Sequence, residues 1–146
     1  MAYQNTVEQK IMWGDLDSLG IVFYPRYYEW FDGSAHLFFE SLDINLNDLM
    51  EKRKIGFGLV ETGCRYFKPV CYHEIIWITT CIEDLTDKIV QLNHRITLAS
   101  DGILMLEGFE KRICMDLSDI DHIRATQIPK DLVEKIRKQG AVPNTK

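Results

Sequence analysis

The sequence predicts an α+β domain: one long central helix wrapped by a curved antiparallel sheet of five strands. Three observations predict it. Nine of the 16 aromatic residues lie between Trp13 and Phe39, a density that marks a core helix rather than a solvated one. From Gly58 to Leu117 the hydrophobic period turns strand-like. Turn residues, among them Thr86-Asp87 and Asp101-Gly102, divide that region into consecutive strands. A helix with so much apolar surface must be covered, and a sheet curled around it is the economical cover.

In chain order, Thr6 to Trp13 reads as the first strand, with Val7, Ile11 and Trp13 on one face and Glu8 and Lys10 on the other. Gly14 to Pro25 reads as a loop holding two acids, Asp15 and Asp17, and a second glycine, Gly20. The helix is expected from about Pro25 to Ser41, because proline suits a first helical turn. Its apolar stripe is Tyr27, Trp30, Phe31, Ser34 and Phe38. Asn45 to Lys52 reads as a short helix or turn. Strands are expected at Gly58–Val70, Glu74–Asp84, Lys88–Ser100 and Ile103–Leu117, with Pro69 at an edge, bulge or strand end. Pro129 opens a short helix whose apolar side is Leu132, Val133 and Ile136, and Asn144 to Lys146 reads as a frayed end. Nothing divides the chain, so residues 1–146 are expected to be one domain. A single sheet leaves an outer face and edges uncovered, and IIWITTCI at 75–82 is apolar on both faces; both features predict self-association.

Composition narrows the function. The chain has 146 residues, 46% apolar and 27% charged, with a net charge of −5. That balance argues against a broad nucleic-acid surface, which needs a basic face. No apolar run approaches the roughly 20 residues of a membrane span. MAYQNTVEQK carries no signal-peptide core. Cys64, Cys71, Cys81 and Cys114 have no CxxC spacing. They read as free thiols, buried in apolar strands of a protein of the reducing cytoplasm.

Candidate chemistry concentrates in the loop. Asp17, between a strand end and a helix start, suits a nucleophile or general base. Residue pattern alone favours the plainer reading, in which Asp15 and Asp17 are turn or capping acids. Gly20 permits positive φ or close ligand approach. The backbone N–H groups near Phe23 and Tyr24 lie where the helix begins and are placed to polarise a carbonyl, or simply to form an ordinary helix entry. Glu29, Asp32 and His36 share a helix side and read as a hydrogen-bonded, partly solvated face rather than a metal site. His73, His94 and His122 are scattered. Lys88, Arg95, Lys111, Arg112, Arg124 and Lys130 read as solvated charges, some of them available to a phosphate. GxSxG, Walker and GxGxxG motifs are absent from the sequence.

The segment Gly14-Asp15-Leu16-Asp17-Ser18-Leu19-Gly20-Ile21-Val22-Phe23-Tyr24-Pro25-Arg26-Tyr27 resembles the active-site segment of the 4-hydroxybenzoyl-CoA thioesterase family of hotdog-fold enzymes. Trp30-Phe31-Asp32, Arg65 to Val70 and Arg124 to Pro129 look familial as well. The resemblance implies a hotdog fold and an acyl-CoA thioesterase that needs no metal or redox cofactor, CoA being part of the substrate. It implies a homodimer with a joint sheet, usually paired into a homotetramer, with active sites between subunits. It gives Asp17 the role of catalytic carboxylate and the Tyr24 N–H that of oxyanion donor. It assigns Gly20, Ile21, Val22, Phe23 and Asp32 to substrate binding, and Lys88 and Arg124 to the CoA phosphates. Thr86-Asp87 depart from the more basic 4-hydroxybenzoyl enzyme, and Tyr24-Pro25 resembles the aromatic-substrate branch. A hydratase on the same fold and a non-catalytic acyl-CoA-binding module are the rival readings.

Overall fold

The computed structural model describes residues 3–141, so the expected frayed end at Asn144–Lys146 lies outside the described residues. Strand β1 (Asn5–Lys10) leads through a 3-10 turn at Trp13–Asp15 and a loop into helix α1 (Pro25–Ser41). Helix α2 (Leu46–Arg53) follows, capped by the Asn45 side chain on the Asp48 N–H. Four long strands come next: β2 (Ile55–Tyr66), β3 (Ile75–Leu85), β4 (Ile89–Leu98) and β5 (Leu104–Asp116). The two-residue strand β6 (Arg124–Ala125) and helix α3 (Lys130–Lys138) close the chain. The sheet runs β1-β3-β4-β5-β2, antiparallel throughout, and β6 pairs with the end of β5. The five expected strands are therefore joined by a sixth. It escapes a periodicity argument because two residues carry no period.

Helix α1 lies on the inner face of this sheet. Tyr27, Phe31, Ser34, Ala35, Phe38 and Phe39 are its buried residues. Each large side chain removed from water contributes roughly 1.5–3 kcal/mol. Around the first half of α1, Tyr27 and Phe31 pack with Ile76, Ile78, Ile96 and Leu106. Around the second half, Phe38, Phe39 and Leu42 pack with Ile82, Leu92, Cys114, Leu132 and Ile136. Inward-facing strand residues alternate with outward ones, as β4 shows by burying Val90, Leu92, His94, Ile96 and Leu98.

Between the two apolar clusters runs a polar seam. Thr80 Oγ1 and His94 Nδ1 lie 2.8 Å apart, and His94 Nε2 pairs with Glu110. Arg112 donates from Nε to Glu110 (2.7 Å), from Nη2 to Asp32 on α1 (2.7 Å) and from Nη1 to the Phe57 carbonyl (3.3 Å). The Phe31 ring stacks on His94 with centroids 4.7 Å apart. It also lies against Gly108, where any Cβ would overlap it.

Several expectations need correction. Trp13 is not a core face of the first strand; it sits in the 3-10 turn and is 78% exposed. Trp30 is only partly buried, and Ala35 and Phe39 complete the stripe, because the helix buries a band wider than a single i, i+3, i+4 row. Arg112 is a buried ion-pair residue rather than a solvated charge, and His94 is fully buried. Cys71 is exposed, because it falls in the β2–β3 connection and not in a strand; all four cysteines are free thiols.

Candidate active site

The loop before α1 is shaped by its own backbone. The Asp17 N–H donates to the Ile21 carbonyl at 2.8 Å and the Gly20 N–H to the Asp17 carbonyl at 3.0 Å. Gly20 adopts φ +79, a left-handed conformation that glycine takes without strain. The Leu19 N–H donates to Asp17 Oδ1 at 2.7 Å, which orients the carboxylate. Asp17 pairs with no basic group among the described residues. Asp15 behaves differently. Its side chain accepts the Met12 N–H at 2.9 Å and faces Arg26 at 3.9 Å, and its carbonyl accepts the Phe23 N–H. It is a structural acid that closes the turn.

Tyr24 is the N-cap of α1, with helical φ and ψ. Pro25 has no N–H, and the N–H groups of Arg26 and Tyr27 donate to the carbonyls of Phe23 and Tyr24. The Tyr24 N–H has no acceptor among the described residues. An unengaged donor at the positive end of a 17-residue helix is pre-aimed to hold a developing negative charge.

A cavity of about 590 Å³ lies over this point, lined by Asp17, Ile21, Val22, Tyr24, Tyr27, Tyr66, Phe67, Lys68 and Pro69. Its far wall comes from the last residue of β2 and the segment after it. That segment is tied to the loop by the Val22 N–H to the Val70 carbonyl at 3.0 Å and by the Ile21–Cys71 bridge. Burial pushes the Tyr27 phenol up to about 12, with Cys64, Cys71 and Glu74 adding to the shift. Burial pushes the Cys64 thiol up to about 11 and the Tyr66 phenol upward too, so these groups are neutral at ordinary pH.

Of the residues singled out in the sequence, Asp17, Ile21, Val22 and Tyr24 come together on this cavity. Gly20 and Phe23 shape the loop behind it through backbone geometry. Asp32 lies two turns along α1, bound to Arg112 and 3.7 Å from His36. Lys88 and Arg124 are exposed at the opposite end of β5. The Lys88 carbonyl accepts the Cys114 N–H, and Arg124 pairs with Asp116, whereas the cavity's Tyr66 pairs with Leu106. No group of His, Cys, Asp or Glu among the described residues is arranged to hold a metal. Sequence reasoning did not single out Tyr27, Tyr66, Phe67, Lys68 and Pro69 as cavity residues. The available signal was Pro69, which marks the segment after Tyr66 as one that cannot continue a regular strand.

The comparisons with known proteins agree with one another. A family model described as the thioesterase-like superfamily matches residues 11–136. A 4-hydroxybenzoyl-CoA thioesterase of Pseudomonas sp. (strain CBS-3) is 27% identical over 139 residues, covering 92% of this chain and 98% of the relative. A solved gentisyl-coenzyme A thioesterase superposes with a TM-score of 0.78 at 32% identity, over 89% of this chain and 99% of the other. A 4-hydroxybenzoyl-CoA thioesterase mutant, D17N, solved in complex with 4-hydroxybenzoyl-CoA, superposes with a TM-score of 0.84 at 25% identity, over 92% and 99%.

Proposed function

The chain belongs to the thioesterase-like superfamily, and we propose that it hydrolyses an acyl-CoA thioester to the free acid and CoA, with Asp17 as the reacting carboxylate. The observation that carries this reading is the pairing, on one apolar cavity, of an unpaired Asp17 carboxylate with an unengaged Tyr24 N–H at a helix start. Thioester carbonyls are electrophilic, so a placed carboxylate and one dipolar donor suffice as machinery.

The thioester carbonyl oxygen accepts the Tyr24 N–H, and negative charge growing on that oxygen meets the positive end of α1. Asp17 then acts in one of two ways. As a nucleophile, its free oxygen bonds to the carbonyl carbon, the C–S bond breaks, and CoA leaves as the thiolate. Water next cleaves the resulting mixed anhydride. As a general base, it takes a proton from a water that attacks the same carbon, and the C–S bond breaks from the tetrahedral adduct. Leu19 N–H on Oδ1 leaves Oδ2 available for either role. The D17N relative complexed with 4-hydroxybenzoyl-CoA accords with a carboxylate at the centre of the reaction. The aromatic walls Tyr27, Tyr66 and Phe67 suit a flat acyl group, and the 4-hydroxybenzoyl-CoA and gentisyl-coenzyme A thioesterases among the relatives support that class.

Self-association belongs to the same proposal. Strand β2 is a 12-residue edge whose outer neighbour is missing, with Leu59 and Val60 about half exposed. Such an edge is a template for pairing. We take a second copy as its occupant, making a joint sheet, with a dimer of dimers as the larger assembly. The cytoplasm is the proposed compartment, supported by four free thiols.

A panel of CoA esters with free-thiol detection tests the activity. Thiol release by the wild type, lost by at least roughly a thousandfold in Asp17→Asn with the fold intact, is the expected result. Near wild-type turnover in Asp17→Asn would remove Asp17 from the mechanism. Single turnover in heavy-oxygen water separates the two routes, since label enters Asp17 only by the anhydride.

A further inference from the structure

Besides Asp17, the cavity wall carries one other charge, Lys68. Its placement results from a local break in the strand. In a regular strand successive side chains point to opposite faces. Here Tyr66, Phe67, Lys68 and Pro69 all line the same cavity. The alternation fails because the N–H groups of Phe67 and Lys68 both donate to the Met105 carbonyl, at 2.9 and 3.0 Å. Two consecutive donors on one acceptor end the ladder, and the chain bends at Phe67 and Lys68 just before Pro69. The ammonium has no carboxylate partner and no hydrogen bond among the described residues, and it is not paired with Asp17.

In the free protein, water solvates this cation. A substrate that fills a cavity walled by Ile21, Val22, Tyr27 and Phe67 removes that water, and an ammonium stripped of water needs a counter-charge. Among the cavity residues of this chain the one carboxylate is Asp17, which Lys68 does not pair with, so we take the substrate as the source of the counter-charge. It comes from the acyl side, because Lys68 and Asp17 share one cavity while the CoA phosphates lie a whole pantetheine arm from the thioester. An acidic oxygen brought close to the Asp17 carboxylate would be repelled, and Lys68 offsets that repulsion.

We propose that Lys68 is a specificity residue that receives an acidic oxygen, phenolic or carboxylate, on the acyl group of the substrate. This inference rests on the thioesterase reading, and its test separates the two. Specificity constants (kcat/KM) are compared within two substrate pairs, benzoyl-CoA against its 4-hydroxy derivative and butyryl-CoA against succinyl-CoA, for wild type, Lys68→Met and Lys68→Arg. In Lys68→Met the preference for the acidic member of the accepted pair is expected to fall about 10- to 100-fold, and Lys68→Arg is expected to keep much of it. An unchanged preference overturns the proposal. So does an equal loss on both members that disappears with N-acetylcysteamine thioesters, which would assign Lys68 to the CoA phosphates. If the wild type releases no thiol, the thioesterase reading fails. The Lys68 assignment is then decided by calorimetric Kd values for the matching pairs of thioether analogues, with and without the acidic oxygen. Lys68-dependent discrimination there upholds it, and equal binding refutes it.

Discussion

Replacing Arg112 with methionine should unsettle the whole domain, because it removes the centre of the polar seam while keeping most of the volume. Arg112 is 8% exposed and Glu110 3%. Without the guanidinium, Glu110 loses the Nε donor, the Phe57 carbonyl loses Nη1, and Asp32 loses its tie to the sheet. Stripping one partner from a buried ion pair typically costs about 3–5 kcal/mol, and here the buried Glu110 carboxylate is left with His94 as its one side-chain partner. The Asp32 contact adds little, because its side chain is 54% exposed; Asp32→Asn should cost under about 1 kcal/mol. For a chain of this size the loss in Arg112→Met amounts to about 10–15 °C in Tm. Urea denaturation with linear extrapolation, at one fixed protein concentration, measures it directly. The double variant Glu110→Gln/Arg112→Met should cost clearly less than the sum of the two single changes, because it removes the buried charge that lost its guanidinium as well. A cost below about 1 kcal/mol for Arg112→Met, or strict additivity in the double variant, would refute the idea that the seam is a coupled charge network.

Three further outcomes are expected. Gly20→Ala forces a Cβ onto a φ of +79. It should cost about 1 kcal/mol, felt mainly in the loop, and steady-state kinetics should show a fall in kcat larger than the loss of global stability; an unchanged kcat would mean the loop shape is not part of the machinery. Val60→Lys on the β2 edge should shift the mass measured by sedimentation toward the single chain and lower turnover in parallel, whereas unchanged mass would exclude this edge as the contact. Tyr27 has a folded pKa raised to about 12, above its unfolded value of about 10. Its contribution to stability is therefore complete below about pH 10 and lost as pH rises toward about 12; Tyr27→Phe should flatten the alkaline fall in stability across that window, and an identical slope in the two proteins would contradict the assignment.

What the sequence made legible is what depends on local period and on backbone chemistry. The α1 boundaries follow from Pro25 and the aromatic spacing, and the structure has them at Pro25–Ser41 as expected. The loop acids separate only when backbone partners are known: Asp15 is consumed by Met12 and Arg26, while Asp17 keeps a free oxygen. No local pattern distinguishes two aspartates this close in sequence. The polar seam was illegible for a different reason. His94, Glu110 and Arg112 sit at inward positions of an alternating strand, where a sequence pattern reads polar residues as outward. Only the register, which sets Thr80 opposite His94, brings them into one row. The cavity's far wall was hidden likewise, because Tyr66 to Pro69 reach Asp17 through the Val22–Val70 contact, 48 residues apart in sequence.

The positions of Lys88 and Arg124 bear directly on why two copies are proposed. Tyr66 at the cavity pairs with Leu106, whereas the Lys88 carbonyl accepts the Cys114 N–H and Arg124 pairs with Asp116. About eight to ten residues of extended β5 therefore separate them from the cavity, on the order of 30 Å. One chain cannot present Asp17 and those cations to opposite ends of the same short reach. Pairing β2 with its copy about a two-fold axis reverses the relation. With the axis through the middle of β2, Tyr66 of one copy falls near Ile55 of the other, and within each copy Ile55 is followed across the sheet by Asp116 and Arg124. Three strand spacings, about 15 Å, replace the length of the strand. A thioester held at Asp17 of one copy could extend its pantetheine arm across that gap to cations of the other. In this proposed arrangement the free edge of β2, the exposed basic residues at the far end of β5 and the Asp17 loop become parts of one site, and dissociating the copies would separate those cations from the cavity while leaving Asp17 and the Tyr24 N–H in place.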